Sequence, residues 1–238
     1  MTVSGRLWAV VPAAGRGARM GSEIPKQYLT LAGRTILEHT LERLLAEPRI
    51  TAVVLALAEG DAQGRNIAAA CGDRVRVTTG GAERCHSVLN GLEALAAADE
   101  DWVLVHDAAR PCLRAADLVS LIETLIRTAG CGGLLGVPVK DTLKRVAANG
   151  QIESTVDRSS LWHALTPQMF RVGHLRTALR DALAAGRLVT DEAQAMELAG
   201  FVPMMVEGHA DNLKITRPED LPLAAHYLRA VAASQGVA

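Results

Sequence analysis

Apolar residues arrive along this chain in short, bounded runs. Leu7–Pro12 (LWAVVP) is rich in β-branched residues and is followed by glycine-rich sequence, which predicts a buried strand. Thr35 followed by Glu38 is a capping-box signature, and Leu37, Leu41, Leu44 and Leu45 share one face of the helix it opens. The alternation then repeats. Ala52–Leu57, Val75–Thr78, Trp102–His106 and Leu134–Val139 read as strands, with helical patterns over Ala62–Ala70, Glu83–Ala97 and around Leu118–Ile126. Strands that alternate with helices predict an α/β fold with a doubly wound, mainly parallel sheet. Near-continuous apolar strands fit burial on both faces.

The rhythm changes after Val139. Two β-leaning stretches flank Asn149-Gly150, the strongest short hairpin signal. A polar hairpin has little core of its own, so residues 140–160 are expected to form an inserted arm that packs on a second copy of the chain. Helices near Gly173–Ala185 and Asp191–Ala199, a strand at Pro203–Glu207 and a helix after Pro218 complete a single domain over residues 1–238.

With 238 residues, 49% of them hydrophobic, the chain is long enough for one α/β core. Net charge is −1, so no global field draws it to nucleic acid or a membrane, and a polyphosphate would need a local group of cations. Aromatics at 3% make base-stacking platforms an unlikely design. Cys71, Cys85, Cys112 and Cys131 lack CxxC or zinc spacing. Together with the absence of a long apolar run, this sets the expectation of reduced thiols in a cytoplasmic protein.

In open α/β sheets, ligands bind beyond the carboxyl ends of the strands. The loop after the first strand reads Ala13-Ala14-Gly15-Arg16-Gly17-Ala18-Arg19-Met20-Gly21, then Pro25-Lys26-Gln27. Glycines let backbone amides approach a phosphate, and Arg19 and Lys26 add charge-assisted contacts. A dinucleotide fingerprint fails because its third glycine comes one position late and Glu59 lies roughly twice the usual 20 positions away. A P-loop fails because there is no Gly-Lys pair. The cation-rich loop suits a triphosphate whose phosphorus is attacked.

The pattern GxGxRMGxxxPKQYLxLxGxTILEHTL resembles the nucleotidyltransferases that activate sugars and polyols. GGAERCHSV, VHDAARPCL, PVKDTLKRV, TVDRSSLWHALTPQ, TDEAQAMELAG and ADNLKITRPEDL follow in order. Together they resemble the 2-C-methyl-D-erythritol 4-phosphate cytidylyltransferase family over nearly the whole chain. The resemblance implies a Rossmann-like nucleotidyltransferase fold. It also implies transfer of a cytidylyl group from CTP to a polyol phosphate with Mg²⁺, and a homodimer whose arm closes the neighbour's site. The nearest alternative is a cytidylyltransferase for another polyol phosphate, such as ribitol 5-phosphate. An NAD(P)-dependent oxidoreductase and a non-catalytic nucleotide sensor are more distant ones.

The resemblance assigns Arg19, Lys26 and Lys214 to charge stabilisation. It places CTP against Ala13, Ala14, Gly15, Gly17, Gly80, Gly81, Ser87, Asp107 and Ala108. The acceptor falls to Asp107, Arg110, Thr166 and Thr190, with Thr142 and Arg158 reaching its phosphate from the neighbouring subunit. Asp107 and Asp211 are candidate metal ligands. Ala82 stands where the family often carries an acidic residue.

Each of these side chains also has a bland reading. Thr190 would serve equally as an N-cap, and Arg158 as a partner of Asp157. His106, His163 and His209 lack ligand spacing and read as packed or hydrogen-bonded. If Arg19 acts mainly on the transition state, Arg19→Ala lowers kcat by roughly 10²–10³ in steady-state kinetics. An unchanged kcat with a raised KM would instead mark ground-state binding.

Overall fold

The computed structural model describes residues 5–15, 24–128 and 130–234. Strand β1 (Leu7–Pro12) leads through a 3₁₀ turn at Lys26–Tyr28 to a small hairpin, β2 (Thr30–Leu31) and β3 (Arg34–Thr35). Helix α1 (Ile36–Leu45) starts at the expected capping box: Glu38 N donates to Thr35 Oγ1 at 3.2 Å, and Thr35 N donates back to Glu38 Oε2 at 2.6 Å. Next come β4 (Ile50–Leu57), α2 (Ala62–Ala70), β5 (Val75–Thr79), α3 (Arg84–Glu93), β6 (Trp102–Val105), α4 (Ala115–Thr128) and β7 (Gly132–Pro138). The hairpin β8 (Leu143–Val146) and β9 (Ile152–Val156) follows, turning at Asn149-Gly150 with Gly150 at φ +85°. The chain closes with β10 (Trp162–Arg171), α5 (Val172–Ala184), α6 (Glu192–Leu198), β11 (Met204–Glu207) and α7 (Asp220–Ser234).

The central sheet runs β11-β7-β10-β6-β1-β4-β5. All its neighbours pair in parallel except β10, which is antiparallel to both β6 and β7. Strand β10 is a correction to the sequence reading, which went from the arm directly to a helix near Gly173. Its first three residues are exposed and Leu165–Phe170 are continuously buried, so the exposed start hides its strand character. The helix read over Glu83–Ala97 stops at Glu93, with Ala94 as its C-cap.

Side chains on a strand point alternately to opposite faces, and this period of two builds both cores. On β1, Ala9 and Val11 join Leu37, Leu41, Leu55, Leu104 and Leu121 under α1 and α4. Trp8 and Val10 join Val88, Leu92, Phe170, Leu175 and Met196 under α3, α5 and α6. Helix α3 lies so close to β1 that a Cβ at Gly91 would come within 2.5 Å of Val10 Cγ1. A smaller cluster around Ile36, Cys112, Ile215 and Leu228 seats α7.

The end of the sheet away from the glycine-rich loop is tied by Asp101. Its Oδ1 accepts from Arg6 N at 2.7 Å, and its Oδ2 accepts from Trp8 Nε1 at 2.9 Å and Ala98 N at 3.0 Å. Removing the carboxylate leaves three donors to find other partners, one of them a buried indole. Asp101→Ala is expected to cost about 3 kcal/mol of stability in urea denaturation, with the slope unchanged. A loss below about 0.5 kcal/mol would show that water replaces the carboxylate freely.

Candidate active site

The carboxyl ends of β1, β4, β5 and β6 gather the site. Ala13 N donates to Ala56 O at 2.8 Å, and Gly80 N donates to Leu57 O at 2.7 Å. These bonds tie the start of the glycine-rich loop and the Gly80-Gly81 turn to the end of β4. A Cβ at Gly80 would lie 2.5 Å from Ala14 Cβ and 2.9 Å from Ser87 Oγ, so only glycine permits this approach. Ser87, expected to face the base, accepts from Gly81 N at 3.0 Å and thereby shapes the turn itself. The 3₁₀ turn is fastened to the same loop by Gln27 Nε2, which donates to Ala13 O at 2.8 Å.

These segments enclose a cavity of about 330 Å³. Ala13, Ala14, Gly15, Lys26, Gly81, Ala82, Ser87, Asp107, Ala108 and Lys214 all line it. A cavity of about 170 Å³ adjoins it, bounded by Arg110, Thr166, Gln168, Thr190 and Asp191. Arg84, Asp107 and Lys214 belong to both walls.

Asp107 is the centre of this shared wall. Its Oδ1 accepts from Arg84 Nε at 2.9 Å; its Oδ2 faces Lys214 Nζ at 2.9 Å and Arg110 Nε at 3.5 Å. Burial alone would push its carboxyl up, but the charges of Arg84, Lys214 and Arg110 hold it well below the usual carboxylate range. Arg84 in turn forks onto Glu192, Nη1 to Oε1 at 2.6 Å and Nη2 to Oε2 at 3.1 Å. Burial opposes its charge, but the Glu192 and Asp107 carboxylates outweigh that and keep the guanidinium protonated. Arg110 Nη1 donates to Asn212 O at 2.6 Å, and Lys26 Nζ donates to Ile215 O at 3.0 Å. The 212–215 segment thus carries Lys214 toward Lys26.

Behind Asp107, a buried relay fixes the backbone. A carbonyl can only accept, so His106 Nε2 carries the proton shared with Arg110 O at 3.0 Å. His106 Nδ1 therefore accepts from Thr166 Oγ1 at 2.9 Å, and that oxygen accepts from Asp107 N at 3.1 Å. Thr166, expected near substrate, thus also positions Asp107.

Other expectations come out differently. The N-cap of α6 is Asp191, which accepts from Gln194 N at 2.9 Å, whereas Thr190 bonds the Gln194 side chain and lines the smaller cavity. Asp211, the second candidate metal ligand, lines neither cavity; its Oδ2 faces Arg114 Nη2 at 2.6 Å, while its Oδ1 is buried without a hydrogen-bond partner. Among the described residues, no three His, Cys, Asp or Glu side chains are grouped to hold a metal ion. Thr142 and Arg158 stand exposed on the arm and line neither cavity of their own chain; Arg158 Nη1 meets Thr142 Oγ1 at 3.4 Å, while Asp157 instead accepts from Ser159. His209 Nδ1 meets Asp117 Oδ1 at 2.7 Å, a hydrogen-bonded histidine as expected. Gly17 and Arg19 lie outside the described residues. Arg84 and Glu192 were missed, because no local spacing joins residues from two separate motifs; the arginine inside GGAER was the available signal.

His106 gives the network a pH signature. Burial pushes its pKa down from 6.5 to about 4. The unfolded chain takes up this proton below pH 6.5, whereas the folded chain does so only near pH 4. Stability therefore falls as pH drops from 6.5 to about 4, by about 3 kcal/mol from this group, and its contribution is flat below that. In chemical denaturation across this range, His106→Gln is expected to lose that part of the slope; an identical slope would mean that the histidine titrates freely in the fold.

A family model for 2-C-methyl-D-erythritol 4-phosphate cytidylyltransferase matches residues 7–230. A protein of that name from Aeromonas hydrophila is 58% identical over 223 residues, covering 94% of this chain and 90% of the relative. One from Pseudomonas aeruginosa is 54% identical, covering 90% and 92%. Among solved structures, a 4-diphosphocytidyl-2C-methyl-D-erythritol synthase superposes with a TM-score of 0.82 at 39% identity, covering 94% of this chain and all of the other. The Francisella tularensis cytidylyltransferase superposes at 0.80 with 35% identity and the same coverage. With its fold, its site motifs and these relatives in agreement, this chain belongs to the 2-C-methyl-D-erythritol 4-phosphate cytidylyltransferase family.

Proposed function

We propose that the larger cavity holds CTP, that the smaller one holds 2-C-methyl-D-erythritol 4-phosphate, and that the phosphate crosses their shared wall. The observation that carries this is the cationic wall itself, where Arg84, Arg110 and Lys214 surround one buried carboxylate between two adjoining cavities. The names of the relatives supply the two substrates and favour methylerythritol phosphate over ribitol phosphate.

An acceptor phosphate oxygen attacks the α-phosphorus of CTP in line. A new P–O bond forms as the bond to the bridging oxygen breaks, and pyrophosphate leaves, giving 4-diphosphocytidyl-2-C-methyl-D-erythritol. A phosphate monoester has its second pKa near 6, so the nucleophile is already deprotonated at neutral pH and the protein need supply no general base. Its work is alignment and neutralisation of charge on the α-phosphate and pyrophosphate. Lys26 and Lys214, with Arg19, are assigned to that charge. The amides near Ala14, Gly15 and Gly81 are assigned to the nucleotide, and Arg110, Thr166 and Thr190 to the acceptor.

Mg²⁺ fits this site only as an ion carried in by the nucleotide. Asp107 is the carboxylate at the shared wall, and cations engage both its oxygens. Mg²⁺ keeps several waters and is commonly held by phosphate oxygens with one or two carboxylates. Bound that way, it would neutralise part of the triphosphate charge.

The arm supports a homodimer as part of the same proposal. It presents Val146, Ile152 and the adjoining Trp162 to solvent at 52%, 65% and 37% exposure, and its Thr142 and Arg158 serve neither cavity of their own chain. The four unpaired cysteines suit a reducing cytoplasm, and no described helix is long and apolar enough to cross a membrane.

The test is pyrophosphate release by purified protein with CTP, Mg²⁺ and methylerythritol phosphate, omitting each in turn. Release that requires all three is the expected result. Faster release with ribitol 5-phosphate would overturn the assigned acceptor.

A further inference from the structure

We propose that Arg84 contacts the phosphoryl groups of this reaction, and that Glu192 is its positioning residue. The inference rests on the reaction proposed above and adds two residues to it.

Arg84 opens α3 and Glu192 lies in the first turn of α6, 108 residues later. The Arg84 side chain lies at the junction of the two cavities and lines both. A guanidinium has five N–H donors. Three are directed by the protein: Nε–H to Asp107 at 2.9 Å, and one on each terminal nitrogen to Glu192, at 2.6 and 3.1 Å. Each terminal nitrogen keeps one further N–H. Two carboxylates therefore hold the plane from two directions, and the remaining donors have fixed directions at a place where two phosphates must meet.

Glu192 lines neither cavity and is only 1% exposed. Burying a carboxylate is costly, and apolar residues of similar size often stabilise a fold as well or better. What a bidentate carboxylate adds is direction. The start of α6 is itself anchored: Gln168, on β10, donates through Nε2 to Asp191 at 3.0 Å and accepts from Ala193 N at 2.8 Å. The chain of support runs from sheet to helix, to Glu192, to Arg84.

Charge points the same way. On the wall that both cavities share, Arg84 and Lys214 face the single carboxylate of Asp107, two positive charges against one, while Glu83 lines the larger cavity and Arg110 and Asp191 the smaller. A ligand with several negative charges completes such a wall, and a guanidinium fork matches phosphate oxygens in pairs.

The test uses full-length protein and pyrophosphate release with CTP, Mg²⁺ and methylerythritol phosphate. Wild type, Arg84→Lys, Glu192→Gln and the double variant are compared, with thermal unfolding of each measured in parallel. Arg84→Lys keeps the charge and loses the fork; kcat is expected to fall roughly 10²-fold, with a smaller change in KM for CTP. Glu192→Gln is expected to lower kcat roughly 10-fold, and the double variant to be no slower than Arg84→Lys alone, because Glu192 acts through Arg84. In Arg84→Ala, millimolar guanidinium chloride is expected to restore part of kcat, which a purely structural role would not allow. If Arg84→Ala does not fold, Arg84→Lys and the double variant decide the matter.

A wild-type kcat in Arg84→Lys with a lowered unfolding temperature would reduce the triad to a structural ion pair and overturn the proposal. Losses that multiply in the double variant would overturn the role of Glu192. Absence of wild-type turnover would instead remove the underlying reaction, and this inference with it.

Discussion

A buried negative charge cannot stand alone, and Asp107 shows how much structure that requirement organises. One carboxylate, nearly enclosed, draws Arg84 from the start of α3, Arg110 from the turn after β6 and Lys214 from the segment before α7. Its own amide is held by Thr166 on β10. Three segments distant in sequence are thereby locked to the turn that carries Asp107 and Arg110. Two of the charges that neutralise it, Arg84 and Lys214, also form the wall that the two cavities share. The groups that would receive phosphate are thus held by the protein's own ion pairs, the kind of support that electrostatic catalysis of phosphoryl transfer requires.

The sheet makes this convergence possible. Parallel strands end on the same side, so the loops after β1, β5 and β6 meet there, and the two helical layers leave that edge uncovered. Antiparallel β10 enters from the opposite direction. It brings Thr166 and Gln168 to the same edge from its middle, where a parallel strand would have offered a terminal loop.

Much of this was legible in the chain. The strand LWAVVP, the Thr35–Glu38 cap and the Asn149-Gly150 turn follow from local chemistry, and each forms as its residues dictate. The start of the glycine-rich loop, Ala13 to Gly15, lines the larger cavity at the end of the sheet where the sequence pattern places a ligand. Strand β10 was not legible, because its first residues are solvent-exposed and Pro167 interrupts the pattern. Glu192 is an acidic residue in a first helical turn, a place that the helix dipole alone would justify. Only its burial against Arg84 shows otherwise. Nor does the spacing of Asp211 from Lys214 announce that one oxygen of the Asp211 carboxylate faces Arg114. Local signals report on elements; charge networks arise from tertiary contact, which spacing does not encode.

The arm leaves the domain between two strands that are already neighbours. Pro138 pairs with Trp162 and Val137 with His163, so the sheet itself clamps both ends of residues 140–160. Closing that loop is a cost met by the β7–β10 ladder, and lengthening it adds only logarithmically in chain entropy. The arm is thus a terrain on which sequence can drift, grow or be exchanged while the cores beneath keep their packing. A change in the arm's length would leave the pairing of β7 with β10 in place on either side of it.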